Sequence, residues 1–200
     1  MKPAAFEYAR PASVAEACAL LAGDDDARLI AGGQTLVPMM AMRLARPTLL
    51  VDIARLPELI GIADEGDAIV IGAATRQTVA EHSPIVASKI PLLAKALPFV
   101  GHAPTRNRGT LGGSVANADP AAEIPLVLTT LDGAITVQTT SGARDVATQD
   151  FFLGPMMTAT PPGGCVTRLR FPVWNVPRLG AGFQEISARQ SDFEIGRAHV

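Results

Sequence analysis

The stretch Ala31-Gly32-Gly33-Gln34-Thr35-Leu36 joins a short apolar run, residues 27–31, to the beginning of an apolar helix. We interpret it as a strand, a glycine loop and a helix start. Two adjacent glycines let the backbone approach an oxyanion without a Cβ atom in the way, and the first amides of a helix are unpaired donors. Gln34 and Thr35 add uncharged donors, so the loop suits a diphosphate. A plain strand-to-helix turn that needs positive φ would use the same residues.

The chain around this loop is divided into short elements by its 18 glycines and 16 prolines. Ser13 and Glu16 form a capping box that opens a helix, which ends at Gly23. Residues 48–53 are predicted to form a buried strand. The other predicted elements are hairpins over residues 59–73 and 134–147, a half-buried strand over 165–171, helices over 75–82, 91–97 and 120–131, and a turn-rich segment over 101–113.

This order of elements predicts an α+β fold. A small βαβ-like unit is expected over residues 1–57. A larger mixed or antiparallel sheet with helices is expected over residues 58–175. The 200 residues, of which 48% are apolar, suffice for one compact domain or for two small ones that share a core.

The composition excludes several classes of function. The formal net charge is only −2 and no basic block is present, so the sequence lacks the electrostatic footprint of a nucleic-acid-binding protein. Two cysteines are too few for an iron–sulfur cluster or a zinc site, and the three histidines show no metal-ligand spacing. Charged residues interrupt the apolar stretches before they reach the roughly 20 residues of a membrane span or form a signal peptide. We therefore expect a cytoplasmic protein with no membrane span and no nucleic-acid partner.

A second glycine pair lies in the stretch Thr110-Leu111-Gly112-Gly113-Ser114, and Asn117, Asp119 and Glu123 follow it closely. Its hydroxyls and glycine amides could serve a phosphate, and its carboxylates could accept hydrogen bonds from ribose or ribityl hydroxyls. The same residues would also suit a turn followed by an acidic helix N-terminus that Asp119 caps. Two such loops together favour a long ligand such as a dinucleotide, which needs several close backbone approaches.

Five stretches match one known family, in family order, over nearly the whole chain. They are AGGQTLVPMMAMRLARPTLLVDI (31–53), IGAATRQTVAE (71–81), TLGGSVANADPAAEIP (110–125), DFFLGPMMT (150–158) and FQEISARQSDF (183–193). The chain resembles the FAD-binding medium subunit of the molybdenum hydroxylases, a group that includes bacterial carbon monoxide dehydrogenase, and the homologous flavin region of xanthine dehydrogenase. The resemblance implies the two-domain FAD-binding fold of the PCMH type.

The resemblance also implies which residues bind the cofactor. Residues 31–36 and 110–114 would hold the FAD diphosphate and the parts beside it, with Asn117 and Asp119 nearby and Glu123 in contact with the cofactor. Val166 matches an apolar position beside the flavin ring, and Gln184 matches a polar position that is lysine in some relatives. Asp192 resembles an aspartate close to the flavin edge. No histidine or cysteine stands in the context of a covalent flavin link, so we expect noncovalent FAD.

By this resemblance the chain is an oxidoreductase subunit that transfers electrons. In the family, a large subunit with the molybdenum cofactor hydroxylates the substrate, and a small subunit with [2Fe-2S] clusters passes the electrons to FAD on the medium subunit and on to an external acceptor. The assembly implied is a dimer of heterotrimers. Two other functions stay open: a stand-alone flavoprotein oxidase of the same fold, and a non-redox module that binds a nucleotide or sugar phosphate.

The resemblance stops at residue 193 or 194, although family members continue into a third, C-terminal α+β domain. Residues 195–200, Ile-Gly-Arg-Ala-His-Val, depart from the family pattern and resemble translated sequencing-adapter read-through, so we expect no functional role for Arg197 or His199. We expect residues 176–200 to be the start of a truncated domain, in which the strand-like stretch 181–186 is an unpaired edge.

Resequencing of the locus tests the expected truncation. An open reading frame that continues for about 100 residues, roughly one more domain, would support it. A stop codon directly after Val200 in clean genomic DNA would refute it.

Overall fold

A three-stranded sheet, a five-stranded sheet and the helices around them form most of the fold in the computed structural model, which describes residues 2–177, 180–187 and 194–199. The strands are β1 (Glu7–Ala9), β2 (Arg28–Ile30), β3 (Leu49–Asp52), β4 (Ile62–Asp64), β5 (Ala68–Gly72), β6 (Ala134–Thr139), β7 (Gly142–Ala147), β8 (Phe152–Gly154), β9 (Met157–Thr158), β10 (Cys165–Pro172), β11 (Phe183–Ser187) and β12 (Glu194–His199). The pairs β8–β9 and β11–β12 add two two-stranded sheets. The helices are α1 (Val14–Ala22), α2 (Leu36–Ala41), α3 (Gln77–Glu81), α4 (Pro84–Lys89), α5 (Pro91–Ala96), α6 (Ala103–Arg108), α7 (Leu111–Asn117), α8 (Glu123–Thr130) and α9 (Thr148–Phe151).

The N-terminal sheet is parallel, with strand order β1-β3-β2. Its central strand β3 was predicted from its apolar run, and Leu50 and Val51 are buried there. The predicted capping box is confirmed at α1, where the Ser13 hydroxyl accepts a hydrogen bond from the Glu16 amide at 3.1 Å. The Glu16 carboxylate accepts in return from the amide of Ala12 at 2.7 Å, one residue before the position that this motif usually uses.

The second sheet is antiparallel, with strand order β4-β5-β10-β6-β7. Both predicted hairpins, β4–β5 and β6–β7, are present, and the predicted strand β10 lies at the centre of the sheet. Alternate residues of these strands point into the main core, where the helices α5, α7 and α8 cover them. Ile71, Leu169 and Phe171 are fully buried there. The α+β fold class predicted from the sequence is confirmed.

The predicted turn-rich segment over residues 101–113 is wrong, because α6 and the first turn of α7 lie within it. The Thr110 hydroxyl caps α7 by accepting a hydrogen bond from the Gly113 amide at 3.1 Å. Leu111 and Val115, one helical turn apart, are buried in the main core. Apolar burial on one face therefore holds Gly112 and Gly113 in a helix despite their low helix propensity.

The helix predicted over residues 120–131 begins later, at Glu123. Pro125 falls in its first turn, where the missing amide hydrogen removes no helical bond, so it does not disturb the helix as expected. The predicted capping role of Asp119 is also wrong. Its carboxylate accepts from the Ala121 amide at 2.9 Å in a local turn, and Ala122 is the N-cap residue.

The expectation of an unpaired edge over residues 181–186 is wrong as well. Strand β11 pairs with β12 in antiparallel register, with Phe183 opposite His199. Phe183 also packs on the main core, and its ring centroid lies 5.2 Å from that of Phe99. The division of the chain at residue 57 stays a prediction.

A second, smaller core links the two sheets. It includes Val51 from β3, Ala17 and Cys18 from α1, and Cys165 from β10. Both thiols are fully buried and free. Burial raises the pKa of the Cys165 thiol to about 12, and nearby Cys18 and Glu58 shift it in the same direction. Because residues of both sheets contribute to this core, buried side chains pack directly between the two sheets.

The Cys165 thiol predicts a specific loss of stability at high pH. An unfolded chain releases this proton near pH 8.5, whereas the folded chain keeps it until about pH 12. Stability is therefore complete below about pH 8.5 and falls as the pH rises toward 12, by up to about 1.4 kcal/mol per pH unit from this group.

Thermal unfolding at several pH values between 8 and 11 measures this effect. The melting temperature of the wild type should fall more steeply with pH than that of Cys165→Ala, which keeps every other titrating group. Parallel curves for the two proteins would contradict the assignment.

Candidate functional site

A cleft of about 880 Å³ opens at the carboxyl ends of β2 and β3, between the N-terminal sheet and the first turns of α7 and α8. The carboxyl edge of parallel strands is the usual ligand site of such sheets. The volume of the cleft lies in the upper part of the range for small-molecule and cofactor sites. Residues 31–36, which follow β2, form one wall, and residues 109–123 contribute to the other.

The first glycine loop offers free backbone donors to this cleft. Gly33 has φ of +68°, a conformation that favours glycine, and a Cβ atom there would lie 3.1 Å from Val37 Cγ2. Within the part of the chain that the structure describes, the amides of Gly32, Gly33, Gln34 and Thr35 donate to no acceptor. The Gln34 side chain donates to the Gly32 carbonyl at 3.0 Å, which holds the loop in shape. The loop therefore presents a row of unpaired amides, as a diphosphate requires.

The second glycine pair does not offer the amides that the sequence led us to expect. Leu111 donates to the Thr75 carbonyl at 3.1 Å and Gly112 to the Ala73 carbonyl at 2.9 Å. The Gly113 amide is used by the Thr110 cap. These three amides therefore already have partners in the cap and in the chain after β5, and their expected contact with a phosphate stays a prediction. A Cβ atom on Gly112 would overlap the Ala73 side chain, so this glycine is needed for packing.

The two glycine segments nevertheless meet at the cleft. A Cβ atom on Gly32 would lie 2.5 Å from the Arg108 carbonyl oxygen and 2.8 Å from the Gly109 Cα atom. Only a residue without a side chain allows this contact. The expectation that the two distant loops serve one site agrees with this geometry, since residues of both line the same cleft.

Polar side chains follow the second glycine pair along the cleft. Ser114, Asn117, Asp119 and Glu123 all line it. Glu123 is only 9% exposed and is the first residue of α8. Among the lining residues that the structure describes, Arg28, Asp119 and Glu123 carry the formal charges. An anionic ligand here would thus be held mainly by uncharged donors.

The structure brings most of the predicted binding residues together. The lining includes Ala31, Gly32, Gly33, Gln34, Thr35, Leu36, Thr110, Gly112, Gly113, Ser114, Asn117, Asp119, Glu123 and Val166. Val166 is 6% exposed and supplies an apolar contact at the start of β10.

Two predicted residues do not line the cleft. The Leu111 side chain is fully buried in the main core, because it is the first apolar residue of α7. Gln184 lies on the exposed side of β11, since the alternation of the strand turns Phe183 toward the core instead. Asp192, expected near the flavin edge, lies outside the described residues.

Several lining residues were missed from the sequence. Gly163 and Gly164 form a third glycine pair on the cleft, and Gly163 has φ of +71°. The run Pro161-Pro162-Gly163-Gly164 was a readable turn signal for this wall. Gly101, Thr105 and Gln77 also line the cleft, and no motif marked them.

A partly buried ion pair supports the wall near Gly101. The Arg106 guanidinium lies 2.7 Å from the Glu81 carboxylate and donates to the Gly101 carbonyl at 2.9 Å. Arg106 therefore fixes the backbone at the cleft and does not itself line it.

Two other kinds of site are absent from the described ranges. Residues 2–177, 180–187 and 194–199 contain no group of three or more histidine, cysteine or acidic side chains suited to a metal ion. In the same ranges no helix has both the length and the apolar content that crossing a bilayer needs.

Comparison with known proteins identifies the family. The profile of the FAD binding domain in molybdopterin dehydrogenase matches residues 4–174. The alpha subunit of the 6-hydroxypseudooxynicotine dehydrogenase complex of Paenarthrobacter nicotinovorans is 42% identical over 99% of this chain and 67% of its own length. The carbon monoxide dehydrogenase medium chain of Hydrogenophaga pseudoflava is 38% identical, over 96% of this chain and 67% of its own.

A solved structure supports the same family. Quinoline 2-oxidoreductase from Pseudomonas putida 86 superposes with a TM-score of 0.95 and 39% identity, over 100% of this chain and 69% of that one. The chain thus spans about two thirds of the length of these relatives. The family and the FAD cofactor predicted from the sequence are confirmed, and the relatives are oxidoreductase subunits, as expected. The chain belongs to the FAD-binding domain family of the molybdopterin dehydrogenases.

Proposed function

We propose that this chain is the electron-transfer subunit of a molybdenum hydroxylase complex and binds FAD noncovalently in the cleft. The observation that carries the proposal is the contact of Gly32 with the Arg108–Gly109 backbone, which brings a row of unpaired amides and the polar side chains of α7 and α8 to one cavity. The cavity has the size for a dinucleotide, and its glycines leave room that side chains would fill.

The residues present fit FAD. The amides of Gly32 to Thr35 would hold the diphosphate, because backbone donors neutralise an anion without adding a mobile charge. Asn117 and Glu123 would contact the sugar hydroxyls, since a carboxylate and a carboxamide oxygen both accept hydrogen bonds. Val166 would give the ring system an apolar neighbour. When bound, FAD supplies a carrier that accepts and releases electrons singly or in pairs.

The role of the protein is then to position and shield this carrier. No cluster or catalytic base is needed on the chain, because the electrons would come from a small [2Fe-2S] subunit and the hydroxylation would take place on a large subunit with the molybdenum cofactor. In support, the relatives are named as a complex subunit and as a medium chain. A dimer of heterotrimers, the external acceptor and the cytoplasmic location stay predictions.

The Gly33 position tests FAD binding with a matched control. Gly33→Ala and Gly66→Ala both place alanine at positive φ, +68° and +89°, and each should lose about 1 kcal/mol of stability. Only Gly33 lines the cleft. Quenching of FAD fluorescence should therefore show at least tenfold weaker binding for Gly33→Ala and wild-type binding for Gly66→Ala. Equal affinities in the two variants would overturn the assignment of the loop.

The electron-transfer role predicts dependence on partner subunits. Under anaerobic conditions the FAD-loaded chain alone should keep its absorbance near 450 nm when offered a purine or another N-heterocyclic substrate, and dithionite should bleach it. In the assembled complex, the substrate of that complex should bleach the flavin. Bleaching of the isolated chain by such a substrate would contradict the role and would favour a stand-alone oxidase.

A further inference from the structure

Gln77, the first residue of α3, has a buried side chain with a polar atom that the fold leaves unpaired. It is 5% exposed, and it lines the cleft. Its Oε1 atom is buried and has no hydrogen-bond partner among the residues that the structure describes. A buried amide oxygen without a partner is unfavourable, and native proteins rarely keep one. Because the residue lines the cleft, a ligand bound there is a natural source of the missing partner.

Backbone hydrogen bonds on both sides hold this residue in place. The Gln77 amide donates to the Gly109 carbonyl at 2.9 Å, and Leu111 donates to the Thr75 carbonyl at 3.1 Å. Between them, Arg76 and Thr110 form an antiparallel bridge. Gln77 is thus tied to the same segment that carries the second glycine pair.

The side chain occupies the space that a glycine leaves. A Cβ atom on Gly109 would lie 2.6 Å from Gln77 Oε1, so a side chain at residue 109 would displace the carboxamide. Gly109 is also the residue whose Cα atom meets Gly32. The carboxamide therefore packs against Gly109, the residue at which the two cleft walls meet.

The chemistry of the unpaired Oε1 atom limits which ligand groups can form a hydrogen bond with it. Oε1 accepts hydrogen bonds, and a diphosphate that is fully ionised has no hydrogen to donate. The hydroxyls of a ribityl chain or a ribose, which flank the diphosphate of a flavin dinucleotide, do donate. The terminal torsion of glutamine is broad, so a rotation about this torsion alone is enough to turn Oε1 toward the cavity.

We propose that the Gln77 carboxamide positions the bound dinucleotide by accepting a hydrogen bond from a sugar hydroxyl next to the diphosphate. This inference rests on the proposed function. The apoprotein then keeps an unfavourable buried oxygen, and only the ligand relieves it. Removing that oxygen should move stability and ligand affinity in opposite directions, which a purely structural residue would not do.

The variant Gln77→Met tests this inference, because methionine has a similar length and no hydrogen-bonding group. The apoprotein of the variant should melt at the same temperature as the wild type or higher, while its Kd for FAD should rise about five- to tenfold, the worth of one neutral hydrogen bond. Gln149→Met, at an exposed position outside the cleft, is the control and should change neither value.

Two results would overturn the inference. An unchanged Kd for FAD would mean that Oε1 meets no ligand group and pairs instead with a fixed water molecule. A lower melting temperature of the apoprotein with unchanged affinity would mean that Gln77 only braces Gly109. If the wild type itself does not bind FAD, the proposed function is wrong. If the wild type binds FAD and the Gln77→Met variant binds it equally well, only the inference about Gln77 is wrong.

Competition of FMN and ADP against FAD then locates the hydroxyl. A loss of affinity of Gln77→Met for FMN assigns the contact to the ribityl chain, and a loss for ADP assigns it to the adenosine ribose. Either result supports the inference. Wild-type affinity for both fragments would contradict a sugar contact.

Discussion

The contact between Gly32 and the backbone of Arg108 and Gly109 is the constraint on which the site depends. It joins a loop that leaves the parallel sheet to a segment that enters the antiparallel sheet's helical layer. The approach is possible only because residue 32 has no side chain. From this point the cleft walls diverge, one built on the unpaired amides of residues 32–35 and the other on the first turns of α7 and α8.

The support for this contact is mostly backbone pairing. Residues 73–77, which follow β5, bond to residues 109–112, and Arg106 ties the Gly101 turn to Glu81. The small core shared by α1, β3 and β10 adds apolar packing between the two sheets. The hydrogen bonds and the packed core both fix the positions of the cleft walls, and a fixed cleft lowers the entropy cost of binding a ligand.

Much of the fold and of the site could be predicted from the sequence, and the failures have physical reasons. The strand, loop and helix around Gly32 follow from local signals, and so do the hairpins β4–β5 and β6–β7. The helix that contains Gly112 and Gly113 could not be predicted, because tertiary burial of Leu111 and Val115 overrides the poor helix propensity of glycine. Long-range pairing decided which amides stay free, and no sequence pattern shows that the amides of Gly112 and Gly113 are used. The unpaired oxygen of Gln77 likewise depends on packing against Gly109, far away in the chain.

Because the first amides of α7 are already hydrogen-bonded within the fold, substitutions on the two cleft walls should have different effects on ligand binding. In the proposed binding mode, one wall would hold the anion through main-chain groups, which most substitutions leave in place as long as the glycines remain. On the other wall the amides of residues 111–113 already donate within the fold, so side chains such as those of Ser114 and Asn117 would contact a ligand there. Point mutations on that wall would therefore change the choice of ligand or its electronic surroundings, while the proposed main-chain contacts to the anion on the opposite side would stay in place.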